Sequence, residues 1–121
     1  MNKTAIQAYG NAERPTLSGR ALEGRAFARA AQLLNDARNA PDDRRHAVKA
    51  LRYNHELWTI MQAALQDEDS ELPPETRAQI MSLSLFVDKR TSEALANPDA
   101  ALLDALIEID RNLSQGQLFN S

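Results

Sequence analysis

The chain reads as all-α: a single-domain helical bundle of four main helices preceded by a short N-terminal helical segment. Three observations predict this. No segment alternates apolar and polar residues as a half-buried strand would. Apolar residues recur at spacings of three and four through four long stretches, and Gly and Pro fall mostly between those stretches. With 121 residues and 43% apolar content, the chain can build one modest core.

Residues 1–17 form an N-terminal segment and linker, in which Thr4 to Tyr9 has helical character and Gly10 to Leu17 carries Pro15. Ile6 and Tyr9 stand one turn apart there. A short isolated helix is marginal in water, so this one needs a surface to dock on. The bundle is expected over 18–116, with a tail at 117–121. Ser18 is a suitable N-cap for the first long helix, whose apolar positions are Leu22, Ala26, Phe27, Ala30, Leu33, Leu34 and Ala37. Gly24 weakens it slightly.

Pro41, Asp42 and Asp43 read as the opening of the second helix, with proline in the first turn and carboxylates at the positive end of the dipole. It is expected to run to about Gln66. Leu51, Asn54, Trp58, Met61 and Leu65 form one stripe, with Ala50, Tyr53, Leu57, Ile60 and Ala64 beside it. An asparagine in the middle of an apolar stripe demands hydrogen-bond partners, because an unpaired buried amide costs about 1–3 kcal/mol.

"DEDSELPPE" ends that helix, since residues before Pro73 and Pro74 are pushed out of helical geometry. Asp67, Asp69 and Glu71 have calcium-loop spacing, but the required Gly is missing and position 78 is Ala where the closing Glu belongs. The third helix, Pro74 to Ala96, is apolar on nearly every side between Ile80 and Val87. Such a helix is either central in the bundle or covered by a partner; the expectation taken is a central spine. Leu85 and Phe86 are adjacent and cannot both face one neighbour. Asn97 and Pro98 are expected to cap and open the last helix, with Leu102, Leu103, Leu106, Ile107, Ile109 and Leu113 inward and Gly116 as its stop.

Function classes can be weighed from the same residues. There is no Cys, and therefore no disulfide or thiolate metal site. No stretch approaches a membrane span and the opening residues lack a signal-peptide run, so a cytoplasmic protein is expected. No metal-spaced cluster, phosphate-binding glycine loop or nucleophile motif occurs, which argues against an enzyme and implies no cofactor. His46 and His55 are too far apart to share a site by helical spacing. Residues 1–60 carry ten Lys/Arg against six Asp/Glu, and residues 61–121 four against eleven, so the halves attract each other when the chain folds back. Arg25 and Arg29, and Arg45, Lys49 and Arg52, offer modest basic surfaces. Aromatic residues make up only 5% and the net charge is −3, both of which weigh against direct RNA binding.

"AIQAY", "RALEGRAF", "LRYNHELWTIM", "ELPPETR", "LSLFVDKRT" and "LDALIEIDRNLSQG" occur in that order over almost the whole length. In this combination the chain resembles the flagellar biosynthesis regulator FlaF family of alphaproteobacteria, with one departure: Asp110 stands where the family pattern has Asn. The resemblance implies a flagellin-binding secretion chaperone; the alternative is a post-transcriptional regulator acting through flagellin mRNA or the regulator FlbT. It also implies Asp88 and Asn112 as partners of Asn54 in a buried polar network that sets helix register. The candidate partner-binding residues are Ile6, Tyr9, Tyr53, Trp58 and Phe86, although Trp58 also belongs to the inward stripe and so fits the core.

Overall fold

The computed structural model describes residues 20–69 and 72–116, so the N-terminal segment with Ile6 and Tyr9, and the tail 117–121, lie outside the described residues. Four helices follow one another: α1 Arg20–Arg38, α2 Arg44–Leu65, α3 Pro74–Ala96 and α4 Ala100–Ser114. No strand occurs among the described residues. Each helix packs on the next, and α4 closes the ring against α1. The α1–α4 pair is the most extensively packed and the α3–α4 pair the least.

Small residues explain the tight pair. The inward face of α1 carries Ala26, Ala30, Ala31 and Ala37 around Phe27 and Leu34, and these short side chains let α4 come close. At Gly24 a Cβ would stand 3.2 Å from the Ser114 carbonyl oxygen. This glycine is therefore a place of close approach as well as a weak spot in the helix. At the other end of the pair, Arg38 forms an ion pair with Asp104, so the two helices run antiparallel.

Two helix starts differ from the sequence reading, for the same reason. α2 begins at Arg44 rather than Pro41, because the Asp43 carboxylate accepts the His46 backbone N–H and acts as the N-cap. Pro41 and Asp42 belong to the preceding turn. α4 is capped by Asp99, which accepts the Ala101 N–H at 2.7 Å, and Asn97 and Pro98 lie in the connection. In each case a carboxylate next to the first helical residue outcompetes the Pro-based start. Gly116, at φ 72°, takes the left-handed conformation just after the last helix, where its N–H meets the Leu113 carbonyl at 2.9 Å.

The core is built on α2. Phe27, Leu51, Leu57 and Trp58 are fully buried, and the Phe27 and Trp58 rings meet edge to face with centroids 5.4 Å apart and planes at 70°. Each such side chain contributes about 1.5–3 kcal/mol by leaving water.

The third helix is not the spine expected from its composition. Its buried stripe is narrow and mixed: Ile80, Ser84, Val87, Thr91 and Ala94. Two of these five carry hydroxyls, and Leu85 and Phe86 point outward. Overall apolarity predicted centrality, but a ring of four helices buries only the residues that share one face.

Candidate partner-binding face

The buried polar cluster of the bundle joins the two helices on a diagonal. Asn54 and Trp58, one turn apart on α2, both face Asp110 on α4, and all three are fully buried. Trp58 Nε1 donates to Asp110 Oδ1 at 3.1 Å. With its amide oriented by the hydrogen-bond network, Asn54 Nδ2 donates to Asp110 Oδ2 at 2.5 Å and Oδ1 at 3.2 Å. The partner of Asn54 is therefore Asp110, and not Asp88 or Asn112. Asp88 is half-buried and accepts from Gln62 Nε2 at 3.0 Å. Asn112 lines a polar cleft of ≈ 510 Å³ between α1 and α4, with Asn35, Arg38 and Arg111 among its walls. Helical phase decides this: Asp110 shares the inward face with Leu103, Leu106 and Leu113, whereas Asn112 falls at its edge. Burial pushes the Asp110 carboxyl well above the usual carboxylate range, with the Trp58 bond pulling it down.

This cluster is a core element, and it takes Trp58 off the surface. Trp58 is fully buried and Tyr53 is 5% exposed, so neither can anchor a partner in this fold. Among the candidates within the described residues, Phe86 alone is exposed, at 39%, and Arg90 stacks its guanidinium 4.8 Å from the ring centroid. Arg90 is also held by Glu93, at 2.5 Å. The residues alone point to one of Leu85 and Phe86 as part of a groove without saying which, and at 62% Leu85 is the most exposed large apolar residue described.

Gln62 of α2 donates to Ser84 Oγ and Asp88 Oδ2 of α3, and Arg44 Nη2 donates to the Leu95 carbonyl at 2.9 Å. These bonds fix α2 and α3 antiparallel and mark their seam. On α3, Ser84 and Asp88 face α2; Leu83 and Phe86 lie on the other flank, towards α4. Leu85 stands one step outward from the seam, four residues beyond half-buried Met81. The outer face of α3 therefore presents two apolar residues, one on each side of its crest.

The remaining candidate chemistry is structural. His46 binds the Asp43 cap through Nδ1 at 3.3 Å, and the His46 backbone N–H is the main reason the Asp43 carboxyl sits below its ordinary range. Asp67 accepts the Asp69 N–H at 2.9 Å in a local turn. No group of three potential metal ligands gathers among the described residues. None of their helices is long and apolar enough to cross a membrane.

The family model of the flagellar protein FlaF matches residues 5–117, nearly the whole chain. The chain belongs to the FlaF family. No curated protein and no solved structure matches it. For this FlaF-family protein, the matched span takes in all four helices, the Asn54–Trp58–Asp110 cluster and the outer face of α3.

Proposed function

We propose that this FlaF-family protein binds flagellin in the cytoplasm and acts as its secretion chaperone, promoting flagellum assembly. One observation carries the reading: Leu85 and Phe86 stay exposed on a helix whose inward face is already satisfied. Two large apolar residues left in water on either side of an otherwise polar crest favour a partner that covers them. Subunits waiting for export need their amphipathic ends shielded, and laying an apolar helix face against a helical surface is an established recognition mode.

The alternative, regulation through flagellin mRNA or FlbT, draws on the exposed Arg45, Lys49 and Arg52 of α2. The two readings separate in one experiment. Purified protein mixed with flagellin is run through size exclusion before and after nuclease treatment. A nuclease-resistant complex of near-equal stoichiometry is expected, lost on Leu85→Ser/Phe86→Ser. Retention by the flagellin message in place of flagellin, with affinity falling steeply as salt rises, would favour the regulator.

A further inference from the structure

We infer that the outer face shared by α2 and α3 docks an amphipathic protein helix that is acidic at one end, and that its charge fixes the direction in which that helix lies. The inference rests on the flagellin-binding reading above and names the chemistry and orientation of what is bound.

The seam defined by Gln62 and Arg44 gives the face its geometry. One step outward from it stand Arg45 and Arg52 on α2, and Leu85 and Lys89 on α3, all exposed. Because the helices run antiparallel, the start of α2 lies beside the end of α3. Arg44, Arg45, Arg52 and Lys89 thus collect towards one end of the face, where they outnumber the exposed carboxylates Asp42 and Glu56, the latter one turn after Arg52. The connection with Asp67, Glu68 and Asp69, together with Glu75, makes the other end acidic, and these are exposed too. Arg52 and Lys89 have no partner among the described residues. Leu85 and half-buried Met81 lie between the two ends.

The occupant follows from this pattern. A polyanion of uniform charge, such as RNA, would meet repulsion at the acidic end. A helix with apolar residues at i, i+3 or i+4, and i+7 can cover Leu85 and Met81, and its acidic end then lies over Arg52 and Lys89. Complementary charge of this kind sets orientation and encounter rate more than final affinity. Leu85 makes the closer contact, because the Phe86 ring is already stacked under Arg90.

The test measures flagellin affinity by anisotropy at about 0.05 M and about 0.5 M salt. Arg52→Glu/Lys89→Glu is compared with Arg25→Glu/Arg111→Glu, which changes the charge equally on exposed positions of α1 and α4; circular dichroism confirms that both variants fold. A loss of about tenfold or more for the first pair, shrinking at high salt, with the second pair near parental, is expected. Parental affinity in Arg52→Glu/Lys89→Glu overturns the inference. A second arm uses a synthetic amphipathic helix with glutamates in its N-terminal third and a counterpart with lysines there. The glutamate peptide should lose affinity for Arg52→Glu/Lys89→Glu, whereas the lysine peptide, which can lie in the opposite direction with its lysines over Asp67, Glu68 and Asp69, should not. An equal response of the two peptides to that charge reversal, binding of neither, or polyuridylate displacing the glutamate peptide overturns the inference. If flagellin fails to bind the parent while the glutamate peptide binds as expected, the chaperone reading falls and the docking face stands.

Discussion

Trp58 on α2 donates its indole N–H to Asp110 on α4 across the diagonal of the bundle, at 3.1 Å, with both residues fully buried. Asn54 completes the cluster. A carboxylate in this position is costly to bury, and it is held by two uncharged donors, with no cation acting on it among the described residues. Removing the acceptor leaves the indole and the amide buried and unpaired. Asp110→Ala should therefore destabilise the fold by about 2–4 kcal/mol, measured by urea unfolding with Trp58 fluorescence as the probe. A loss within experimental error would mean that the cluster adds nothing to stability.

Asp110→Asn should behave in the opposite way at neutral pH. The Asp110 carboxyl has a raised pKa in the folded state, so its favourable contribution is full below the unfolded carboxylate range and is lost as pH rises through the folded value. An amide keeps a carbonyl for Trp58, and its N–H₂ can face Asn54 once that side chain turns over. The variant should melt higher than the parent at pH about 8, with the advantage shrinking as pH falls towards about 4. A pH-independent difference would count against proton linkage at this site.

Asp43 supplies the reverse sign. Its carboxyl is depressed in the folded state, chiefly by the His46 backbone N–H. The stability it adds is present above the unfolded carboxylate range and disappears as pH falls through the folded value. Asp43→Ala should lower the melting temperature at pH about 7, with the gap closing in acid, where the cap is protonated in both states. Thermal melts across that range check it.

Gly24 stands where α1 meets the end of α4, with the Ser114 carbonyl 3.2 Å from the place a Cβ would occupy. Alanine restores helix propensity at the cost of a tight contact, and the two effects oppose each other. Valine adds bulk and a β-branch, so Gly24→Val should cost about 1–3 kcal/mol in chemical denaturation. A stability equal to the parent would mean that the two helices move apart freely.

Amide hydrogen exchange should be slowest in α4 around Leu106 and in α1 around Leu34, and faster in α3 around Leu85. The α1–α4 pair has the most extensive packing. α3 is held through a stripe that includes Ser84 and Thr91, and the Thr91 hydroxyl has no hydrogen-bond partner among the described residues. Slowest exchange in α3 would restore it as the spine of the fold.

Much of the architecture was legible in the residues alone. Spacing of three and four marks all four helices, and the span of α3 follows from Pro74 at its start and Asn97–Pro98 after its end. The stripe through Leu51, Trp58 and Met61 marks the core side of α2, and its inconsistent member, Asn54, marks a buried polar site. Periodicity carries this information because it depends on one helix at a time. The partner of Asn54, the outward place of Leu85 and Phe86, and the gathering of Arg52 with Lys89 depend on how helices are phased against one another. Those relations arise only when four helices close into a ring, where side-chain volumes such as those of Ala30 and Gly24 decide which pairs approach and which faces remain in water.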